Sequence, residues 1–199
     1  MTLISPASSD ALGDARFDDG SPLDDRGVAA ARAAAASLPA RQWRQFCAPS
    51  PRCRQTADAL GLRADVEPAL RDCDMGAWRG RTLHDVGRHD HHAFSAWHQD
   101  PAHVPPGGES RLDFGERIAA WLDRTLALAQ SARIEGDEVA RRGGRMVVVA
   151  EPGVIRMAVL HALSAPPEAF WRIDVPPLSA THLVGRGPRW NLRSGPLDP

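Results

Sequence analysis

The chain of 199 residues contains no lysine; all 24 of its basic residues are arginine. Chemistry that needs a lysine amine is therefore excluded: Schiff bases, pyridoxal-phosphate attachment and the P-loop. Tyrosine is also absent, so no phenol serves as acid or nucleophile. Cysteine is scarce: Cys47, Cys53 and Cys73 make an odd number with no paired spacing. That pattern suits a reducing compartment and argues against a disulfide framework or a zinc ribbon. Charge of one sign is missing too, with 24 basic against 25 acidic residues and a formal net charge of −1. Such a balance argues against a nucleic-acid groove or a polybasic membrane arm. No apolar run approaches the ~20 residues of a transmembrane helix. Met1 to Asp10 lack the basic start and apolar core of a signal peptide. These absences predict a cytoplasmic protein with no nucleic-acid or membrane partner.

What is present is ordinary for a globular protein: 43% hydrophobic and 25% charged residues. At ~150 residues per domain the length predicts one domain spanning residues 1–199. Thr2-Leu3-Ile4 reads as a strand that stops at Ser5-Pro6. Ala11 to Asp25 reads as loop. A helix is expected from Asp24 or Asp25 to Leu38, with Pro39 as its stop. Trp43–Ala48 and Ala64–Glu67 are candidate strands, flanking a helix over Arg52–Leu60 that Gly61 closes. Leu83 to Pro106 reads as an irregular, histidine-rich stretch, part of an insert over about 83–110. From Leu112 to Ala129 a helix is expected, in which Phe114, Ile118, Trp121, Leu122, Thr125 and Ala129 share one face, and the stripe from Phe114 to Trp121 reads as core. Ser131 to Gly144 reads as a polar, mobile connection. Met146 to Ala150 is fully apolar, as a central parallel strand buried on both faces requires. Gly153–Leu163 suits a buried helix, and Thr181–Val184 and Trp190–Leu192 suit closing strands. The alternation predicts an α/β three-layer sandwich, a mostly parallel sheet with helices on both faces.

In such a sheet, ligands bind at the carboxyl ends of strands, beside helix N-termini. Three points stand out: Ser5-Pro6-Ala7-Ser8, the helix start at Arg52, and Glu151-Pro152-Gly153. The cluster His89-Asp90-His91-His92 matches no zinc spacing, so no metal or other cofactor is expected. Ser8 and Ser9 have no histidine base predicted beside them and no G-x-S-x-G elbow, so a serine hydrolase is not indicated.

The motifs resemble those of the histidine phosphatase superfamily, the phosphoglycerate-mutase-like proteins, almost end to end. Ser21-Pro22-Leu23-Asp24-Asp25-Arg26-Gly27 is similar to its "PLTERG". Pro49-Ser50-Pro51-Arg52-Cys53-Arg54-Gln55-Thr56-Ala57 is similar to "SPLxRAxQTA". The segment from Glu67 to Gly80 is similar to "EPxLREIDFGxWEG", and Pro106-Gly107-Gly108-Glu109-Ser110 to "PGGES". Val147 to Arg156 is similar to "VVVAHGGVIR". Trp171-Arg172-Ile173-Asp174 and Pro177-Leu178-Ser179 match parts of "WRLDVPPLS". The resemblance implies a phosphohistidine mechanism. A histidine of an Arg-His-Gly motif attacks phosphorus, a second histidine and arginines hold the phosphoryl oxygens, and a carboxylic acid protonates the leaving group.

This chain departs from that pattern at the reacting groups. Ser5-Pro6-Ala7 stands in place of Arg-His-Gly, and Glu151-Pro152 in place of the late His-Gly. Arg52 survives and Asp72 stands where the acid belongs. The ancestral catalytic positions are thus Pro6, Asp72 and Glu151, and the candidate ligand-binding residues are Ser5, Ser8, Arg52, Asp72, Glu109 and Glu151. The site is more negative than the family's by two to three charges. Two unit charges 4 Å apart interact by ~4 kcal/mol at an effective dielectric of 20, so phosphate binding is expected to be weakened. Glu151, just before a helix with Pro152 near its first position, suits the helix dipole. We expect Glu151 to supply its own anion there and Arg52 to pair with it. The three charged residues read either as a vestigial ion-pair network or as an altered ligand site. Glu109 either lines the mouth or caps the next helix. The expected protein is a divergent relative without phosphohistidine catalysis that binds a small molecule or a partner. The alternative is an active phosphatase or mutase with a non-standard nucleophile.

Overall fold

The structure, a computed structural model, describes residues 1–38, 43–134, 145–186 and 189–194. Its centre is a six-stranded sheet in the order β3-β2-β4-β1-β5-β6. The strands are β1 (Thr2–Ile4), β2 (Arg44–Cys47), β3 (Asp65–Val66), β4 (Met146–Val149), β5 (Ala180–Arg186) and β6 (Arg189–Arg193). β1, β2, β3 and β4 run parallel, while β5 pairs antiparallel with β1 and β6 with β5. The helices are α1 (Asp10–Gly13), α2 (Asp25–Ala34), α3 (Pro51–Ala59), α4 (Leu83–His89), α5 (His91–Gln99), α6 (Arg111–Ile134) and α7 (Pro152–Leu163). This is the expected α/β architecture, a mixed central sheet flanked by helices. No helix among the described residues is long and apolar enough to cross a membrane.

Local chemistry sets the strand ends. Pro6 has no N–H to donate, so the β1 ladder stops at Ile4 and Ser5. Every residue of β4 is buried, as its unbroken valines require. α3 begins where the Ser50 hydroxyl accepts from the Cys53 N–H, 3.2 Å away, with Pro51 in the first turn. α7 likewise begins with Pro152 and ends at Ser164 in the left-handed region. The main core joins Leu3, Val148, Ile155, Phe114, Ile118, Leu122 and Leu183, all essentially inaccessible to solvent. Burying each such side chain contributes roughly 1.5–3 kcal/mol. The Phe114–Trp121 stripe of α6 therefore packs inward as read, while beyond it Leu126 is buried and Thr125 and Ala129 are only half-buried.

Four readings of the sequence are corrected. The stretch from Leu83 is not irregular: α4 and α5 occupy most of residues 83–99. The Thr82 hydroxyl caps α4 by accepting from the Asp85 N–H at 3.0 Å. Val86 and Trp97 then bury against Trp78 in a satellite cluster that Phe17 and Phe94 complete. Trp78 and Phe17 come from outside the stretch, so periodicity within it misses their role. The loop over Ala11–Asp25 contains the end of α1, capped by the Ser9 hydroxyl. The helix expected to run to Leu38 changes to a 3-10 turn over Ala35–Ser37, and Pro39 lies outside the described residues. α6 runs on to Ile134, into the predicted polar connection, whose residues 135–144 lie outside the described residues.

Candidate functional site

Parallel strands share one carboxyl edge, and the sequence-predicted charged residues meet there. Arg52 stands in the first turn of α3, after β2. Glu151 immediately precedes α7, after β4. Asp72 follows β3 by six residues. The Arg52 guanidinium donates to Glu151 Oε2 at 2.8 Å, and the Ser50 hydroxyl donates to Glu151 Oε1 at 2.7 Å. The expected Arg52–Glu151 pairing is therefore present, and the Glu151 carboxylate is completely buried. Asp18 approaches the same guanidinium at 3.7 Å. The Asp72 carboxyl lies over the Gly153 Cα, because a Cβ there would sit 2.5 Å from Asp72 Oδ1. Only glycine lets the carboxyl approach the start of α7 this closely.

The electrostatics follow from the Arg52 guanidinium set among three carboxylates, one of which, Asp18, also lies 3.9 Å from Arg79. Burial pulls the Arg52 pKa down, but Glu151, Asp18 and Asp72 outweigh it and move it up. Burial raises the Glu151 pKa, opposed by Arg52 and the Ser50 hydroxyl. The Asp72 pKa is pushed up to about 7, first by desolvation and then by Glu151. The Cys53 thiol is also raised by burial and by Glu151, so it is held protonated and is no nucleophile.

The other predicted residues are bonded elsewhere. The Ser5 hydroxyl donates to the Pro176 carbonyl and accepts from the Ser179 N–H at 3.0 Å, which ties β1 to the approach to β5. The Pro6 carbonyl accepts from the Leu178 N–H at 3.3 Å. The next residue, Ala7, donates its N–H to Thr56 Oγ1 at 3.1 Å. Thr56 is one helical turn beyond Arg52, so Pro6-Ala7 packs on the face of α3 that carries the guanidinium. The Ser8 hydroxyl donates to Asp24, the cap of α2. Gly27 of α2 lies against the Ser8 backbone, where a Cβ would collide. Glu109 accepts from Arg117 Nη2 at 2.7 Å and from Arg71 at 3.2 Å. It does not cap α6, since Ser110 accepts from the Asp113 N–H there. Arg117 also donates to the Asp72 carbonyl at 3.4 Å, which links Glu109 to the Asp72 loop.

Sequence reasoning missed Ser50, Asp18, Thr56 and Arg117. Ser50 and Thr56 lay within the quoted SPxR segment, and their polarity on an otherwise packed helix face was the available signal. Asp18 gave none, because its loop closes on the site only through the fold. The described histidine contacts lie away from Arg52: His182 with Thr2, His161 with Asp123, His98 with Trp171 and His89 with Asp85.

This fold and this strand-end cluster of charged side chains define the class. The chain matches the family described as "Histidine phosphatase superfamily (branch 1)" over residues 11–195, and it belongs to that family. The matched stretch begins downstream of Ser5-Pro6-Ala7. A bifunctional protein of Mycobacterium tuberculosis is 30% identical over 133 residues, 66% of this chain and 33% of that protein. The adenosylcobalamin/alpha-ribazole phosphatase of Escherichia coli is 25% identical over 115 residues, 57% of this chain and 51% of that enzyme. The chain thus spans only a third to a half of these relatives. A solved mycobacterial glucosyl-3-phosphoglycerate phosphatase, in complex with VO3, superposes with a TM-score of 0.79 at 25% identity, over 97% of this chain and 96% of that one.

Proposed function

We propose that this family member does not run phosphohistidine chemistry, and that its cleft serves a small-molecule or partner-binding role. The observation that carries the reading is the Glu151 carboxylate, fully buried and bonded to both Ser50 and Arg52. The resemblance puts a phosphoryl-binding histidine at position 151 and the attacking histidine at position 6. Here an internal carboxylate neutralises the guanidinium, and proline offers no nucleophile. A phosphate dianion entering the cleft would meet the Glu151 and Asp18 carboxylates beside an Arg52 guanidinium that Glu151 already pairs. Each like-charge contact at about 4 Å opposes it by ~4 kcal/mol at an effective dielectric of 20. We place the protein in the cytoplasm, where its three free cysteines remain reduced.

One observation favours the second reading, a working phosphatase with a non-standard nucleophile. Asp72, its pKa pushed up to about 7 by desolvation and by Glu151, holds a proton in about half of the molecules at neutral pH, as a general acid poised near the working pH does, and the relatives named above include phosphatases. Hydrolysis of p-nitrophenyl phosphate by the purified chain separates the two. The first reading expects no turnover above a heat-inactivated control. Turnover that Arg52→Ala abolishes would overturn it in favour of the second.

A further inference from the structure

Away from the Arg52 cleft, two arginines face one aromatic pair. Arg111 opens α6 and is 3% exposed, which is exceptional burial for a guanidinium. Its Nη2 donates to the His98 carbonyl at 3.3 Å, while Nε and Nη1 are buried without a hydrogen-bond partner. Its Cζ lies 5.1 Å from the Trp171 ring centroid and 5.9 Å from that of Phe170. Arg156, on α7, lies 5.2 Å from Phe170 and 6.0 Å from Trp171, and its Nε donates to the Ile173 carbonyl at 2.8 Å. Neither arginine has a carboxylate in ion-pair contact among the described residues. Burial lowers the pKa of both, and the acids that act on them, Asp100 and Glu168 on Arg111 and Asp174 and Asp72 on Arg156, do so only through space.

Buried charges are ordinarily paired, and a buried N–H without an acceptor marks an ion or water that the site requires. The aromatic faces offset part of the cost of Arg111, but they leave two of its N–H groups unpaired. An oxyanion answers that defect, since guanidinium forks bind carboxylate and phosphate through paired hydrogen bonds. Trp171, 36% exposed, forms the outer wall, and Arg156 is only half-buried, so approach is from that side.

We propose that Arg111 and Arg156, walled by Phe170 and Trp171, form a binding subsite for a small oxyanion, a carboxylate or a phosphate group of a ligand. The subsite takes none of its residues from the Arg52–Glu151 pair. Tryptophan emission of the full chain, followed during titration with inorganic phosphate and separately with acetate at constant ionic strength, tests it, because Trp171 and its neighbour Trp97 pack together at 5.1 Å. The expected result is a saturable change with at least one anion, and the tighter of the two identifies the preferred group. Arg111→Met should weaken it about tenfold or more, the loss of one charge-assisted hydrogen-bonded contact. Arg156→Met, a milder change at a half-buried position, should weaken it as well and covers the case in which Arg111→Met fails to fold. Arg32→Met, which removes an exposed arginine of α2, should leave it unchanged, so the response does not follow the chain's total charge. No saturable response in the parent chain, an unaltered response in Arg156→Met, or loss of the response in Arg32→Met would overturn the proposal.

Discussion

Arg52→Met is the most informative perturbation of the cleft. The guanidinium and Glu151 are 2.8 Å apart, and their side chains are 11% and 0% exposed, so solvent screens the pair little. At an effective dielectric of 20, charges at that separation attract by about 6 kcal/mol before desolvation is subtracted. Removing the arginine leaves a buried carboxylate held by the Ser50 hydroxyl and the Cys53 thiol, with no cation against it to replace Arg52. Breaking one partner of a buried ion pair typically costs about 3–5 kcal/mol. We therefore expect Arg52→Met to lose that much stability in urea denaturation at pH 8. The loss should shrink toward pH 5, because Glu151, its pKa already raised by burial and no longer held down by Arg52, takes up a proton. Adding Glu151→Gln to Arg52→Met should restore most of the lost stability, with a coupling of about 2 kcal/mol or more in the double-mutant cycle. If Arg52→Met costs less than about 0.5 kcal/mol at pH 8, or if Glu151→Gln fails to rescue it, the pair is not the buried internal ion pair argued for.

Two further outcomes test the same geometry. The Asp72 pKa is raised from 3.8 to about 7, so the folded state keeps a proton that the unfolded state releases, and stability should fall as pH rises across that window and level off above it. Asp72→Asn should flatten this decline in a pH series of denaturation midpoints; an unchanged slope would place the titration on another group. Gly153→Ala should destabilise by about 1–3 kcal/mol, because its Cβ would lie 2.5 Å from Asp72 Oδ1 and 3.3 Å from Phe114. In the same variant the Asp72-dependent pH slope should change, and a thermal midpoint equal to that of the parent would contradict the close approach.

Much of the architecture was legible because it is written in local terms. The apolar run of β4, Met146 and three valines, and the stripe from Phe114 to Trp121 carry their own burial pattern, and Pro6, Pro51 and Pro152 mark boundaries by the hydrogen bonds they cannot donate. α4 and α5 escaped notice because the aromatic partners that hold them, Phe17 and Trp78, are distant in sequence. Of the candidate site, Arg52, Asp72 and Glu151 could be named because parallel strands deliver their carboxyl ends to one edge. The same residue-by-residue reading could not tell that the hydroxyls of Ser5 and Ser8 are bonded within the fold, or that Glu109 is held by Arg117 and Arg71.

The amino-acid order by itself determined the main strands and helices and their sequence, and it sets proline at position 6 and glutamate at position 151. Only the tertiary structure decided what those residues do. It withdrew Glu151 from water, set it against Ser50 and Arg52, and brought Asp18 and Asp72 alongside. Whether a carboxylate acts as a surface charge, a buried counter-ion or a proton donor depends on distance and solvent access, and those are properties of the packed chain rather than of any segment of it.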